Sequence, residues 1–408
     1  MFRISQFMRE LIQPTPPATK RQAGPVVIWN LVRRCNLTCR HCYTVSANRD
    51  FPGELTEEEI YRVMEDLRGC GVSVLVLSGG EPLLRPDLFH LSRRAKALGF
   101  YVGLSSNGTL IDDTNIDEIA AVGYDYVGIS IDGLRQTHDR FRRHPGAFEA
   151  ARRGIRLCRQ RGIKVGLRFT LTEENAAELP AVIAFMHSEG GDKFYLSHLN
   201  YAGRGNRHRS ADALHQTTRQ TMDRLFEHCW QQVRNQQPGE YVTGNNDADG
   251  VYLLHWARRR FPDKVEHLHR KLVEWGGNAS GVNIANIDHV GDVHPDTFWG
   301  HYRLGNVRER PFSAIWQDRT DPLMAGLNAS PRPVQGRCAR CQYLNICGGN
   351  TRVRAYQLTG NIWAEDPGCY LTDDDIGLHS AARSRTNSAA PGSRERGQRN
   401  LHAKLGDQ

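Results

Sequence analysis

The sequence predicts an α/β fold in which parallel strands and helices alternate. Short β-branched runs alternate with helical patterns six times between residues 26 and 199, and a glycine follows several of the predicted helices where a left-handed residue is needed. Successive βαβ units are right-handed and build a parallel sheet. Six such units either close as a partial barrel or lie open as a doubly wound sheet.

The elements follow from these local patterns. The predicted strands are 26–32, 72–77, 100–105, 125–131, 163–170 and 193–199. The predicted helices are 56–69, 86–98, 112–122, 146–161 and 175–189. Thr56 and Glu59 have the spacing of a capping box at the first of these helices. The glycines that mark helix ends are Gly71, Gly99, Gly123 and Gly162.

Composition divides the rest of the chain. Residues 1–25 form an N-terminal segment before the barrel at 26–199. Residues 200–275 are polar and mostly helical, which predicts a linker or insertion. Residues 276–378 are rich in glycine and turns and form a C-terminal domain. Residues 379–408 are rich in Ser, Arg, Ala and Gly, and this composition predicts a disordered tail.

Size and charge exclude several classes of protein. The 408 residues have room for two domains, and no apolar run approaches the ~18 residues that span a bilayer. Arg9 and Glu10 interrupt the apolar stretch near the start, so we expect a cytoplasmic protein without a secretory signal or membrane partner. The net charge is +8, but half of it lies in 379–408. Because no basic stretch carries interleaved aromatic residues, no nucleic-acid partner is predicted.

Unusual residues cluster where the predicted strands end. Three cysteines follow the first strand, Ser78 to Pro82 follow the second, Ser106 to Gly108 the third, and Asp132 and Gly133 the fourth. Working groups of both barrels and doubly wound sheets collect at the carboxyl ends of the strands. These segments therefore predict a single site.

Seven of the ten cysteines fall into two clusters. The clusters are Cys35, Cys39 and Cys42, and then Cys338, Cys341, Cys347 and Cys369. Without an export signal, clustered cysteines are more often metal ligands or catalytic thiols than disulfides. The first cluster reads C-x3-C-x2-C, and three thiolates on a four-iron cluster leave one iron open. A zinc site completed by His41 is the alternative.

The C-x3-C-x2-C motif after the first strand resembles that of radical S-adenosylmethionine (SAM) enzymes. The resemblance implies a partial (βα)6 TIM-like barrel and a [4Fe-4S] cluster on Cys35, Cys39 and Cys42. It also implies S-adenosyl-L-methionine at the open iron and a reducing electron donor. The cofactors would then supply a 5′-deoxyadenosyl radical that abstracts hydrogen from an unactivated carbon, while the protein positions the substrate.

The same resemblance implies residues that bind SAM. Tyr43 matches the aromatic residue placed against the adenine. Gly79, Gly80, Glu81 and Pro82 are similar to the motif that binds the methionine amino group, although such a motif alone is also typical of a turn. The strand-end positions implied to contact ribose and carboxylate are Ser106, Asn107, Ser130 and Asp132, with Arg168 as a further candidate.

The second cysteine cluster resembles the SPASM extension of many radical enzymes. Its four thiolates suffice for one auxiliary [4Fe-4S] cluster in a SPASM- or twitch-like C-terminal extension, with a four-cysteine zinc site as the alternative. Asn278, Asp296 and Thr351 stand where the full motif has further cysteines. Because these three positions serve the same second auxiliary cluster in the family, the resemblance implies one auxiliary cluster here.

A closer resemblance covers residues 1–378 and concerns the radical enzymes of heme d1 biosynthesis. It includes the stretches "YLSHLNYAGRG", "TGNNDADGVYLLHW" and "GDVHPDTFWGHYRLGNV". The implied substrate is 12,18-didecarboxysiroheme, whose propionate side chains are removed or converted. His198 ends the sixth strand and Arg204 follows it, so both are predicted substrate contacts.

Two other functions remain open at this point. One is a SPASM-type peptide or cofactor maturase with another substrate, although few residues precede the first strand to bind a leader peptide. The other is a non-enzymatic iron–sulfur electron carrier or tetrapyrrole-binding protein. The Gly79–Pro82 motif argues against the carrier, since an electron carrier needs no binding site for an amino acid.

Overall fold

The computed structural model describes residues 1–16 and 24–378, so the tail predicted to be disordered lies outside the described residues. The strands are β1 Val26–Val32, β2 Val74–Gly79, β3 Tyr101–Ser106, β4 Tyr126–Ser130, β5 Val165–Leu171, β6 Lys193–His198, β7 Glu240–Gly244, β8 Ile284–Ile287, β9 Asp292–His294 and β10 Gly305–Asn306. The helices are α1 Ile4–Ile12, α2 Glu57–Gly69, α3 Leu88–Ala97, α4 Ile116–Val122, α5 Arg135–Arg142, α6 Ala147–Gln160, α7 Leu179–Ser188, α8 Gly203–Arg207, α9 His215–Arg234, α10 Ala248–Arg260, α11 Val265–Trp275, α12 Phe312–Gln317, α13 Pro322–Asn328, α14 Gly336–Ala339, α15 Leu344–Cys347 and α16 Arg352–Thr359.

All ten strands belong to one sheet in the order β10-β9-β8-β1-β2-β3-β4-β5-β6-β7. Each strand from β1 to β7 is parallel to the next, and β8 is parallel to β1. The antiparallel pairs are β8 with β9 and β9 with β10. Within the described residues β7 and β8 do not pair, so the sheet is an open, partial barrel. The predicted α/β fold class is confirmed.

Two strands come from regions outside the predicted six-unit barrel. β7 lies in the region predicted as a linker or insertion, and β8 lies in the predicted C-terminal domain. Each extends the parallel sheet at one of its ends. The domain bounds themselves stay a prediction, but the sheet passes through them without interruption.

The six predicted strands appear within a few residues of the expected bounds. The capping box at α2 is present, with Glu59 N donating to Thr56 Oγ1 at 3.3 Å and Thr56 N donating to Glu59 Oε2 at 2.8 Å. Helix α5, directly after β4, is the one helix of the barrel region that the sequence patterns did not predict.

The two faces of the sheet differ in character. Side chains such as Trp29, Leu77 and Leu104 are fully buried in the main hydrophobic core. The inner face instead carries polar residues, glycines and large tyrosines. A Cβ at Gly166 or Gly244 would collide with the hydroxyl of a tyrosine on a neighbouring strand. Glycine at these positions therefore lets tyrosine side chains fill the interior.

The N-terminal segment covers the free edge of β7. Phe2 N donates to Thr243 O and Thr243 N donates to Phe2 O, both at 2.8 Å. Helix α1 then packs against β7, α9 and α11. Among the described helices none combines the length and apolar character needed to cross a membrane.

Candidate active site at the carboxyl ends of the strands

The loop after β1 brings its three cysteines together. Cys35 and Cys39 form a small buried cluster with Leu37, and Cys42 packs against it. Arg204 holds this loop, because its Nε donates to Cys39 O at 2.7 Å and its Nη1 donates to Ser46 O at 2.9 Å. The cysteine loop is thus positioned by the segment that follows β6.

Each sulfur of this loop has a polar partner from a different part of the site. Asn107 Nδ2 lies 3.8 Å from Cys35 Sγ, and Arg142 Nη1 lies 3.5 Å from Cys39 Sγ. The hydroxyl of Thr44 lies 3.2 Å from Cys42 Sγ. Hydrogen-bond donors and cations stabilise thiolates, which are the form that binds metals.

Burial and charge act in opposite directions on these thiols. Burial, with a contribution from Glu81, raises the pKa of Cys35 to about 12. Burial also raises the pKa of Cys39, although Arg142 opposes it. Burial raises the pKa of Cys42 as well, but Arg204 and hydrogen bonds outweigh it and leave this pKa below the usual value.

The donor set fits a cluster better than a single ion. Within residues 1–16 and 24–378, no three side chains of His, Cys, Asp or Glu are arranged around one metal-ion position. Thiolates of an iron–sulfur cluster bind different irons and need not converge on one point. The zinc alternative would instead require four donors around one ion, including His41.

The turn from Gly79 to Pro82 packs directly against the cysteine loop. Gly80 N donates to Val32 O at 2.6 Å, and Glu81 N donates to Arg34 O at 2.9 Å. A Cβ at Gly79 or Gly80 would collide with these carbonyl oxygens. Both glycines are therefore required by the close approach of the two loops.

Two of the predicted SAM-binding residues, Ser106 and Asn107, donate hydrogen bonds to the carboxylate of a third, Glu81. This side chain is fully buried and accepts hydrogen bonds from Ser106 Oγ and Asn107 N, both at 2.8 Å. Burial raises the pKa of Glu81 to about 7 in spite of these donors. The carboxylate of Glu81 thus fixes the loop after β3. The side-chain amide of Asn107, which lies in this loop, is placed beside Cys35 Sγ.

Asp132 and Arg142 form a buried ion pair beside the cysteine loop. Asp132 is fully buried, and its Oδ1 also accepts from Thr170 N at 2.8 Å. Burial raises the pKa of Asp132, but Arg142, His41, His138 and the hydrogen bond from Thr170 N together outweigh burial and hold this pKa below its usual value. Because Arg142 also approaches Cys39, the carboxylate predicted to contact SAM is linked to a cysteine of the loop.

Arg142 was missed by sequence reasoning. It lies on α5, which has no clear sequence signal, and it stands among three other arginines between residues 135 and 143. Nothing in the spacing separates it from its exposed neighbours.

Tyr43, Ser130 and Arg168 share the interior of the barrel. Arg168 is paired in register with Ser130 on β4 and Tyr195 on β6, and its guanidinium lies 5.4 Å from the centre of the Tyr195 ring. The hydroxyl of Tyr43 accepts from Asn30 Nδ2 at 3.3 Å, and its ring lies 5.4 Å from that of Phe298.

A polar cavity of about 300 Å³ opens beside Tyr43. Its wall combines the cysteine loop, the ends of β1 and β8, the segment after β6 and the region around Phe298. The titratable and charged residues in the lining are Arg33, Asp288, His289, His294 and His301. The sequence spacing singled out none of these histidines, because the fold brings them together from separate turns.

His294 has a defined tautomer in this cavity. Its Nδ1 lies 2.8 Å from the carbonyl oxygen of Tyr302, which can only accept, so Nδ1 carries a proton. Its Nε2 lies 3.8 Å from Asp288 Oδ2. Burial lowers the pKa of His294, but Asp288 and the Tyr302 carbonyl outweigh it, and the pKa lies above its usual value.

The two predicted substrate contacts lie elsewhere. His198 is buried, with its Nε2 3.0 Å from Asp249 Oδ2 and its ring stacked on Tyr370. Arg204 binds the backbone of the cysteine loop as described above. Neither side chain lines the cavity beside Tyr43.

The second cysteine cluster also forms one group. Cys341, Cys347 and Cys369 pack against the main core, and Arg337 Nη1 lies 3.6 Å from Cys369 Sγ. Burial raises the pKa of all three thiols, and the pKa of Cys347 is raised further by the charges of the other three cysteines. All four cysteines are therefore close enough to interact.

The positions without cysteine are filled by hydrogen-bonded protein groups. Arg332 Nη1 donates to Asn278 Oδ1 at 3.0 Å, Phe298 N donates to Asp296 Oδ1 at 2.7 Å, and Thr351 Oγ1 donates to Asn245 O at 3.2 Å. Asp296 therefore caps a turn.

Comparisons with known proteins agree with this site. The radical SAM superfamily model matches residues 29–186. The chain is 54% identical to the pre-heme d1 synthase of Dinoroseobacter shibae over 92% of this chain and 94% of that protein. It is 43% identical to the Fe-coproporphyrin III synthase of Methanosarcina barkeri over 88% of this chain and 90% of that protein.

Solved structures share the fold at low sequence identity. Streptococcus suis SuiB bound to S-adenosylmethionine has a TM-score of 0.67 at 17% identity, covering 86% of this chain and 78% of that one. The anSMEcpe enzyme with bound AdoMet and a peptide has a TM-score of 0.64 at 18% identity, covering 88% and 97%.

Proposed function

The chain belongs to the radical SAM superfamily and is a radical SAM enzyme, and from this premise we propose that it acts in heme d1 biosynthesis. The proposed substrate is 12,18-didecarboxysiroheme, and the proposed reaction removes or converts two of its propionate side chains. The similarity to the pre-heme d1 synthase of D. shibae along nearly the whole of both chains is the observation that carries this proposal. We further propose a cytoplasmic location.

Residues of the cysteine loop would hold the [4Fe-4S] cluster. Cys35, Cys39 and Cys42 offer three thiols, and the partners on their sulfurs favour the thiolate form. When bound, the cluster and SAM supply a 5′-deoxyadenosyl radical that abstracts hydrogen from the substrate. The chain's own contribution is to bind, to orient and to exclude water.

The cavity beside Tyr43 is proposed as the substrate site. A substrate with several carboxylates needs cationic and hydrogen-bonding partners. Arg33 donates through Nε to Thr44 O at 3.1 Å, which fixes its guanidinium at the cavity wall and leaves other N–H groups for a carboxylate. His289 and His301 add imidazoles to the lining. Phe298 adds an aromatic ring to the lining, set edge to face against Tyr43, and can contact the apolar part of the substrate.

Cys338, Cys341, Cys347 and Cys369 are proposed to hold one auxiliary [4Fe-4S] cluster. The four thiols interact with one another, which supports a shared cluster. The groups around Asn278, Asp296 and Thr351 leave no thiol for a further cluster. A reducing electron donor is also required, and we propose that it acts from outside the chain.

The test uses anaerobically reconstituted protein with SAM and dithionite. We expect 5′-deoxyadenosine in the absence of substrate, and loss of propionate mass when didecarboxysiroheme is added. An Arg33→Gln variant should cleave SAM normally but bind didecarboxysiroheme at least about tenfold more weakly, since a charge-assisted hydrogen bond is worth about 1.5–3 kcal/mol. Formation of 5′-deoxyadenosine without any change in didecarboxysiroheme mass would refute the proposed substrate and favour a maturase acting on another molecule.

A further inference from the structure

Two histidines and a tyrosine meet on the outside of the barrel, far along the chain from every cysteine of the two clusters. His187 is the ninth residue of α7, His228 lies on α9, and Tyr241 lies on β7. Tyr241 Oη is 2.9 Å from His187 Nε2 and 3.0 Å from His228 Nε2, and the two Nε2 atoms are 3.4 Å apart. Three potential ligand atoms therefore form a nearly equilateral triangle.

We propose that His187, His228 and Tyr241 bind a divalent transition-metal ion such as Zn²⁺. Ligands around a tetrahedral zinc with bonds of about 2.0–2.1 Å are about 3.3 Å apart, which matches the triangle. Imidazole suits zinc, copper and iron. Burial raises the pKa of the Tyr241 phenol, so the metal ion must displace this proton, which lowers the affinity. The described residues contain no comparable arrangement of His, Cys, Asp and Glu alone, and this one exists only because a tyrosine supplies the third ligand.

Protons occupy this triangle when no metal is bound. The Tyr241 hydroxyl can donate to one imidazole while the other imidazole donates to the hydroxyl oxygen, so two of the three contacts are hydrogen bonds. Metal binding replaces these protons, and both imidazoles then carry their proton on Nδ1. The rings are already oriented with Nε2 facing the same point, so little reorganisation is needed.

An open fourth position is available. His187 and His228 line a cavity of about 420 Å³ between α7 and α9, whose other walls are mostly apolar. A catalytic or structural zinc with three protein ligands takes water in the fourth position, and this cavity can supply it. Arg224 also lines the cavity, and its positive charge weakens cation binding. We therefore expect a modest affinity.

The consequence of binding is a cross-link between three elements. Helix α7 belongs to the barrel, while α9 belongs to the polar region after β6, and β7 is the edge strand between them. A metal bound to all three ties the outer helix to the edge of the sheet. Because a ligand that binds only the folded state stabilises it, the ion should raise the melting temperature. This proposal is independent of the substrate and of the two cysteine clusters.

The experiment uses the protein with its iron–sulfur clusters loaded, so that the seven clustered cysteines do not compete for zinc. Zn²⁺ is titrated anaerobically against a chromophoric chelator, and the melting temperature is measured with and without Zn²⁺. We expect one Zn²⁺ per chain in the original sequence. His187→Ala and His228→Ala should each weaken binding at least about tenfold and abolish the zinc-dependent rise in melting temperature, as loss of a ligand requires.

The controls separate this site from others on the surface. His90→Ala removes an exposed helical histidine on α3 and should bind Zn²⁺ like the original sequence. Tyr241→Phe keeps the buried ring and removes only the third ligand atom, so it should fold normally and bind more weakly. No uptake of Zn²⁺ by the loaded protein, or equal uptake by all four variants, would overturn the proposal and leave the triangle as a hydrogen-bonded contact.

Discussion

The two cysteine regions of the molecule are built differently. In the N-terminal loop every sulfur has a polar partner, and two arginines, Arg142 and Arg204, stand beside three thiols. In the C-terminal region Arg337 lies beside Cys369 and Arg332 lies near Cys347, and burial raises the pKa of three of the four thiols. The difference in the number of thiols matters most: three thiols would leave one iron of a four-iron cluster to a small molecule, whereas four thiols would suffice to saturate the proposed auxiliary cluster.

The largest effects, on SAM cleavage and on iron content, are expected when one thiol is removed from either region. Cys39→Ala should abolish formation of 5′-deoxyadenosine, because two thiols no longer hold the cluster that binds SAM. Cys338→Ala should lower iron from about eight to about four per chain and still allow SAM cleavage. Iron analysis and chromatography of 5′-deoxyadenosine measure both. If Cys338→Ala stopped SAM cleavage as completely as Cys39→Ala, SAM cleavage would depend on both regions and the predicted difference between them would be wrong.

The next largest effect is expected when either of two buried ion pairs is broken. Arg142 pairs with Asp132 beside the first region, and Arg354 holds Asp366 through two bonds of 2.8 and 2.9 Å beside the second. Arg142→Met and Arg354→Met should each lower the free energy of unfolding by about 3–5 kcal/mol, since each leaves a buried carboxylate unpaired. Urea denaturation measures this change.

Only one of these variants should alter a cluster. Arg142 approaches Cys39 Sγ, so its removal takes a positive charge from beside the thiolates and should make the reduction potential of the first cluster more negative. Arg354→Met should leave that potential unchanged. The double variant Asp132→Asn with Arg142→Met serves as the control and should recover part of the lost stability. A potential unaffected by Arg142→Met would show that the contact is only structural.

A smaller effect is a pH dependence of the free energy of unfolding, which arises from Glu81 in the first region. The pKa of Glu81 is about 7 in the folded chain and 4.5 in the unfolded one. The folded state therefore holds this proton to higher pH, and ionisation of Glu81 should cost about 2 kcal/mol of stability between pH 5.5 and 8. Glu81→Gln should lose less stability over this interval than the original sequence, as measured by urea denaturation at each pH. Parallel pH curves for the two proteins would contradict the raised pKa.

The smallest effect comes from Arg337. It pairs with Asp373, which is nearly half exposed, and such pairs contribute about 0–1 kcal/mol. Arg337 Nη2 also donates to the carbonyl oxygen of Leu371, and one such hydrogen bond contributes about 0.5–1.5 kcal/mol. Arg337→Gln should therefore lower the free energy of unfolding by about 1 kcal/mol and leave the iron content unaltered. The matched variant Arg204→Gln loses two hydrogen bonds to the backbone of the cysteine loop and should release iron from the first cluster faster. Equal rates of iron release from the Arg337→Gln and Arg204→Gln variants would show that the two arginines do not differ in how they support the neighbouring cysteines.

Much of the fold was predictable because it depends on local signals. The strand runs, the capping box at Thr56 and the glycines after helices are short-range patterns, and the structure places them as expected. The extension of the sheet by β7 and β8 was not predictable in this way. β8 pairs with β1 across more than 250 residues, and a four-residue strand carries too little periodicity to be recognised.

In the candidate site, too, the residues with short-range sequence signals could be predicted and those that depend on distant contacts could not. The cysteines, Gly79, Gly80 and Tyr43 were predictable from motifs that lie next to one another in sequence. Arg142 and the cavity histidines were not, because their roles depend on which turns the fold brings together. The predicted contact of His198 with the substrate stays a prediction, and its partner Asp249 on α10 is revealed only by the packing of that helix.

The bridge between Phe2 and Thr243 has a consequence for association between copies of the chain. An uncovered edge strand presents unpaired N–H and C=O groups that can pair with a strand of another molecule. Here two hydrogen bonds with Phe2 and the packing of α1 cover the outer edge of β7. Strand addition at this end of the sheet would first have to displace the chain's own N-terminal residues.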